Sequence, residues 1–273
     1  TEYIVDTGNP KNYMLELYNY PPSLLGSGGT CPSHNLVCAF EKKDGSANDM
    51  QSDTRFENMD PRFDVTIVRD GSILGARGAI DISDPNSQDA IGKVNLRSTV
   101  TGYYLRKFLD TNINLSAQTI TSTYHYFPVI RLADIYLLYA EAMNEAYGPN
   151  DAADLGWTAL EALNKVRTRA GITVPYTTTS QTEMTKKIRN ERRVELAFED
   201  QRYFDLRRWK TAEKDLNQPL MGFRIERQDN GVVSTHEFVV DGQRKFNTKM
   251  YYSPIPYSEM QLNTNLVQNP GWR

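Results

Sequence analysis

The spacing of apolar positions divides this chain into a helical centre and two irregular flanks. From Pro128 onward, Val129, Ala133, Leu137 and Ala140 form one stripe at helical spacing, and Leu132, Tyr136, Tyr139 and Met143 form a second beside it. So wide an apolar arc predicts a helix covered on both sides. Pro128 suits a first turn, where its missing N–H is harmless, and Gly148–Pro149 ends the element. A second helix is predicted from about Ala152 to Ala170. Leu155, Ala159, Leu163, Val166 and Ala170 face inward, Glu161 and Lys165 pair outside, and Gly171 is the stop. A third opens on the capping pattern Ser180-Gln181-Thr182-Glu183 and runs to about Trp209, with a break near Asp200–Gln201.

The flanks have a different texture. Residues 1–127 are punctuated by Pro21–Pro22, Gly26-Ser27-Gly28-Gly29, Asp44–Gly45, Asp70–Gly71 and Asp84-Pro85-Asn86, which predict turns around short extended pieces. Phe63–Val68 (FDVTIV) alternates apolar and polar and reads as a half-buried strand, and Tyr103–Phe108 reads as a second extended piece. Loops this long are often where binding surfaces sit. Beyond the helical core at 128–210, residues 211–273 predict a hairpin (Phe223–Arg227 with His236–Val240, turning at Asp229-Asn230-Gly231) and a tail. Tyr251, Tyr252, Ile255, Leu262, Leu266 and Trp272 predict that this tail packs on the body, because a disordered segment rarely carries so many apolar residues.

Composition narrows the function classes. With 273 residues and a formal charge of −3, the chain can bury a sizeable core and has no basic bias of the kind nucleic-acid binders carry. No apolar run approaches the roughly 18 residues of a spanning helix. The sequence opens at Thr1 with no charged-then-apolar leader, so any targeting segment is expected to lie outside it. The 16 tyrosines outnumber 10 phenylalanines and 3 tryptophans, which suits half-wet surfaces as well as helix contacts. Cys31 and Cys38 are too few for a structural zinc site, and their spacing leaves disulfide and free thiols equally open. His34, His125 and His236 lack metal-motif spacing, and no cofactor fingerprint is present.

Two constellations carry candidate chemistry. Glu191, Glu195 and Glu199 recur four residues apart and could supply a glycosidase acid and base. Arginines interleave with them, however, and acids at this density beside guanidiniums form ion-pair networks that fix helix geometry. Arg131, Asp134, Glu191, Arg192, Arg193, Glu195, Asp205 and Arg207 are therefore assigned to such a network. The second constellation is Tyr13, Tyr18 and Tyr20 before Pro21–Pro22. Tyr18 and Tyr20 on an extended segment would show both rings on one side, as a stacking platform for sugar rings, and the equally open alternative is a turn anchored by these tyrosines.

Three segments together resemble the SusD/RagB family, the surface glycan-binding lipoproteins of Bacteroidetes nutrient uptake systems. They are His125–Ala146 (HYFPVIRLADIYLLYAEAMNEA), Ile188–Trp209 (IRNERRVELAFEDQRYFDLRRW) and Tyr251–Trp272 (YYSPIPYSEMQLNTNLVQNPGW). Pro32–Gly45, Glu57–Gly71 and Thr101–Phe108 look like family segments in family order. The resemblance implies a mainly α fold, a tetratricopeptide-like stack of helix pairs with long loops and small hairpins. It implies no catalysis and no cofactor. Its implied partners are a glycan and a TonB-dependent SusC-like transporter in the outer membrane, with a lipid anchor on an N-terminal half outside this sequence. The alternatives are a secreted carbohydrate-active enzyme using the Glu191/Glu195/Glu199 row, and a helical-repeat scaffold that binds only protein.

Overall fold

Helix pairs lie at the centre of the computed structural model, which describes residues 2–8, 10–75, 78–92, 97–231 and 233–272. In chain order the regular elements begin with strand β1 (Tyr3–Gly8) and helices α1 (Met14–Asn19), α2 (His34–Val37) and α3 (Pro61–Thr66). Strands β2 (Ile67–Val68), β3 (Tyr104–Leu105) and β4 (Tyr126–Arg131) follow. Next come helices α4 (Leu132–Tyr147), α5 (Ala159–Arg169), α6 (Gln181–Glu195), α7 (Gln201–Arg208) and α8 (Ala212–Leu216). The hairpin β5 (Leu220–Arg227) and β6 (Val233–Asp241) precedes helix α9 (Tyr257–Leu262).

Helices α4, α5 and α6 interlock through Ala133, Leu137, Ala140 and Met143 of the first, Ala159, Leu163 and Val166 of the second, and Met184 and Ile188 of the third. The second predicted stripe of α4 is only half covered. Tyr136 stacks on Trp157 at 5.3 Å, whereas Leu132 is 41% exposed. Pro128 does not open α4. It lies inside β4, opposite Asp6 of β1, because β-branched Val129 and Ile130 follow it and a partner strand is at hand. Helix α5 starts later than predicted, and Leu155 is exposed in the turn before it. Thr158 and Glu161 form a reciprocal capping box, at 3.0 and 2.8 Å. Glu161 is thereby committed to the cap, while Lys165 sits 4.2 Å over the Trp157 ring. Ser180 caps α6 through the Glu183 N–H at 3.2 Å, but Glu183 turns to Lys186 at 2.8 Å rather than back to the cap.

The predicted strand over Phe63–Val68 is mostly helix. Asp60 accepts the Arg62 N–H at 2.9 Å and Pro61 follows as first helical residue, a start signal that overrides the alternation. Only Ile67 and Val68 are extended, paired with Leu105 and Tyr104. The Tyr103–Phe108 piece shrinks correspondingly to Tyr104–Leu105. The hairpin forms with Phe223 opposite Glu237 and Arg227 opposite Val233. Of the tail, Tyr251 packs with Phe246, Leu206 and Ala212, and the Trp272 indole donates to the Lys249 and Tyr252 carbonyls at 3.0 and 2.9 Å. Leu262 and Val267 are 83% and 84% exposed, so the tail is pinned at intervals rather than buried along its length. Cys31 and Cys38 are free thiols. Among the described residues, no helix is long and apolar enough to cross a membrane.

Candidate functional site

The glutamate row faces the body of the protein. Glu191 and Glu195 lie one turn apart on α6, and Glu199 follows in the α6–α7 turn, where Phe198 and Asp200 take left-handed backbone (φ 63° and 59°). That turn carries Glu199 back over the same face. Glu191 accepts Arg167 at 3.0 Å and also Arg62. Glu195 accepts Arg62 at 2.8 Å, Arg131 at 2.6 Å, and Arg169. Glu199 accepts Arg131 at 2.6 Å and Lys107 at 2.5 Å. All three carboxylates are buried.

This geometry disarms the row as an acid–base pair. Burial alone would raise the Glu195 carboxyl, but Arg62, Arg131 and Arg169 outweigh it and hold it at about 2. A carboxyl that stays ionised at neutral pH has no proton to give a leaving group, and both its oxygens are already occupied by guanidiniums. The carboxylates in turn raise the Arg131 guanidinium: burial opposes the shift, and Glu199 and Glu195 prevail.

A second pair of acids braces the neighbouring helix. Arg192 donates to Asp134 of α4 at 2.7 Å and to Asp205 of α7 at 2.8 Å, tying three helices through one buried guanidinium. Arg131 and Asp134 thus each reach across to the α6 region rather than to one another. Arg193 and Arg207 stand outside this carboxylate network. Helical rotation points Arg193 to the opposite face, where it donates to the Asn35 carbonyl at 2.6 Å. Arg207 reaches the Tyr251 carbonyl and, at 3.3 Å, the Tyr203 hydroxyl.

The three tyrosines do not share a face. Residues 14–19 are helical, not extended, so Tyr18 and Tyr20 diverge. Tyr20 is 2% exposed and its hydroxyl donates to the Asp110 carbonyl at 2.6 Å, which leaves no ring face for a ligand. Tyr13 precedes α1 and packs partly against the core formed by Tyr20, Leu24, Leu74 and Tyr104. Tyr18 alone is open, at 56% exposure.

A second aromatic surface escaped the sequence reading. His125 turns inward, 2.8 Å from Glu16, and period-two alternation therefore turns Tyr124 and Tyr126 outward, 53% and 47% exposed. Their rings lie 6.2 Å apart and tilted by 35°. The backbone beneath is held on both sides: Thr123 and Asn12 exchange hydrogen bonds at 3.0 Å, and Tyr126 pairs with Gly8. Lys11 sits 4.9 Å over the Tyr124 ring. The one available signal was alternation in Tyr124-His125-Tyr126, masked by the prediction that this stretch leads directly into a helix.

Comparison with known proteins places this architecture. A SusD-like protein of Formosa agariphila is 33% identical over 159 residues, covering 53% of this chain and 24% of that protein. A solved SusD-like protein of Bacteroides fragilis is 27% identical with a TM-score of 0.79, over 99% of this chain and 54% of the other. A solved SusD-like carbohydrate-binding protein of the same species is 26% identical with a TM-score of 0.78, over 97% of this chain and 54% of the other. The chain thus spans about half the length of these solved relatives, and the matched segment covers about a quarter of the curated one. It shares the tetratricopeptide-like helical fold of SusD-like proteins. The SusD family model matches residues 1–272, and the chain belongs to the SusD family.

Proposed function

We propose that this chain belongs to a non-catalytic protein that binds glycans at the outer face of the outer membrane. The reading is supported by family membership and by a solved relative described as a carbohydrate-binding protein. The observation that carries it on this chain is the outward pair Tyr124–Tyr126 on an anchored backbone, with Tyr18 as a third open ring. Pyranose C–H groups meet the negative face of such rings, and each contact contributes about 1 kcal/mol. Two or three contacts of that size supply about 2–3 kcal/mol of the roughly 4 kcal/mol that a millimolar Kd requires, so binding is weak, as suits a protein that passes its ligand on. The saturated glutamate row argues against glycoside cleavage.

In this reading the full-length protein is lipid-anchored and caps a TonB-dependent SusC-like transporter as a lid, handing glycan to it for import. The test is titration calorimetry of the full-length protein with oligosaccharides chosen on a glycan array, beside a reducing-sugar assay. Heat without cleavage, reduced at least tenfold in affinity by Tyr124→Ala/Tyr126→Ala or by Tyr18→Ala, is the expected result. Cleavage, or silence across the array, would overturn the reading. Copurification from solubilised membranes should yield a large β-barrel; its consistent absence would remove the transporter.

A further inference from the structure

On the face of α6 opposite the glutamate row lies a cavity of about 480 Å³, within the roughly 300–1,000 Å³ usual for small-molecule sites. Helix α2, the α6–α7 region, helix α8 and the base of the β5–β6 hairpin enclose it. Three guanidiniums line it, from Arg193, Arg202 and Arg244, against two carboxylates, Asp215 and Glu237.

These arginines are held unlike those of the network. Arg193 gives its hydrogen bond to the Asn35 carbonyl at 2.6 Å, and Arg244 gives its own to the Gln218 carbonyl at 2.7 Å. Arg202 comes no closer than 3.8 Å to Asp215. Among the described residues, neither Arg193 nor Arg244 has a carboxylate partner. The Arg244 Nε is buried with no hydrogen bond at all. Glu237 lies 3.5 Å from His34, another lining residue, and accepts Gln51 at 3.1 Å, so its charge and that of Asp215 offset two of the three guanidiniums and leave an excess of one positive charge. The remaining titratable groups do not offset the positive excess. Burial keeps His34 neutral by lowering it against the pull of Glu237, and burial with Glu237 pushes the Cys38 thiol up to about 11. Arg193 itself is lowered to about 10, by burial and then by the like charge of Arg202, the state a bound anion would relieve. Phe198, Leu216 and Met221 supply an apolar wall beside the charges.

We infer that this cavity binds an oxyanion, carboxylate or sulfate ester, carried on a sugar ring, with Arg193, Arg202 and Arg244 as the recognising groups and the apolar wall against the ring. A guanidinium fork presents paired donors that match either anion. The inference rests on the glycan-binding reading and names a class of glycan, at a place remote in sequence from Tyr18 and Tyr124–Tyr126.

Cys38 lines the cavity and Cys31 does not, which allows a test on the unaltered protein. Alkylation of both thiols is followed by mass spectrometry in the presence of a galacturonate trisaccharide, a sulfated galactose trisaccharide, the neutral galactose trisaccharide or inorganic sulfate. One or both anionic sugars should slow Cys38 at least tenfold and leave Cys31 unchanged, and which of them protects identifies the anion. Arg193→Met/Arg202→Met should abolish that protection while the thermal melt and the binding of neutral oligosaccharides persist. Equal protection by the neutral trisaccharide would overturn the anion assignment and leave glycan binding intact, and equal protection by inorganic sulfate would overturn the sugar. Unprotected Cys38 with both anionic sugars would overturn the site. Failure of the glycan reading has a separate signature, silence of the full-length protein across the whole array.

Discussion

Arg131 grips Glu199 with two prongs, Nε at 2.6 Å from one carboxylate oxygen and Nη2 at 2.9 Å from the other. The remaining donors of the same guanidinium reach Glu2 at 2.6 Å, the Glu195 carboxylate at 2.6 Å and the Glu195 carbonyl at 2.7 Å. All five N–H groups are therefore used, by a side chain 6% exposed. Arg131 stands where β4 becomes α4, so one residue locks the strand-to-helix junction onto the end of α6.

Removing that guanidinium leaves buried Glu199 with Lys107 alone and takes one of three arginines from buried Glu195. Arg131→Met is expected to destabilise the chain by about 3–5 kcal/mol. Arg131→Lys should recover only part of this, because an ammonium cannot reproduce the two-pronged geometry. Urea denaturation of the three proteins measures it, and a loss below about 1 kcal/mol would place the pair with weak surface bridges.

Acid should dismantle the same network at a defined point. The folded-state value of Glu195 is about 2, against an ordinary 4.5. A depressed carboxyl contributes stability fully above its unfolded value and loses it as pH falls toward the folded one. The shift corresponds to about 3 kcal/mol, lost between pH 4.5 and 2. Denaturation midpoints in Glu195→Gln should change less over that window than in the parent. Parallel curves would assign acid sensitivity to other groups.

His34 supplies a second, earlier step. Its ring stacks on Phe223 at 4.7 Å and meets the Tyr103 hydroxyl at 3.0 Å, and burial holds its value below the ordinary 6.5 despite Glu237. The unfolded chain then takes up a proton near pH 6.5 that the folded chain refuses, so stability falls as pH drops below 6.5. His34→Phe should flatten the curve from pH 6.5 to 5, and an unchanged slope there would exclude His34 as its source.

The helical centre was legible because its signals are local. Alanine and leucine spacing on α4 to α6 and the cap at Ser180 sit within a few residues of what they decide, and the equally local cap at Thr158 sets the later start of α5 that the spacing alone did not place. The ion-pair network was legible in kind, because buried acids need partners, but not in membership: Arg193 differs from Arg192 only by rotation about the α6 axis, and Arg207 from Arg208 only by rotation about that of α7. The aromatic surfaces were least legible. Whether Tyr18 or Tyr20 meets solvent is set by Asp110, 90 residues from Tyr20, and whether Tyr124 and Tyr126 do is set by Glu16 pulling His125 inward. Local pattern does not encode such partners.

Backbone geometry makes a sharper prediction at Gly102. Its φ is +89°, and a Cβ there would lie 2.0 Å from the Phe223 carbonyl oxygen, on backbone that cannot swing aside. Phe223 in turn donates to the Thr101 carbonyl at 2.8 Å, so any shift is felt in β5. Gly148 has φ +82° and ψ −178°, a combination essentially confined to glycine, with open space around it, so Gly148→Ala should cost only backbone strain of about 1–3 kcal/mol. Gly102→Ala should cost clearly more, because displacement of β5 is added. Equal thermal shifts in the two variants would show that the contact is relieved without loss.

The tyrosines allow structure and binding to be separated with two substitutions. Tyr20→Phe deletes a hydroxyl that donates to the half-buried Asp110 carbonyl at 2.6 Å, at about 1 kcal/mol. Since its ring is 2% exposed, glycan affinity should not change under conditions where the variant is folded. Tyr18→Ala removes an open ring, so stability should move by no more than about 0.5 kcal/mol. If Tyr18 belongs to the glycan surface, its loss instead weakens binding by roughly tenfold, the equivalent of 1.4 kcal/mol. Calorimetry and thermal melts on both variants decide between the roles. Unaltered affinity in Tyr18→Ala would leave Tyr124 and Tyr126, an open pair held on a backbone anchored from both sides, as the stacking surface of this reading.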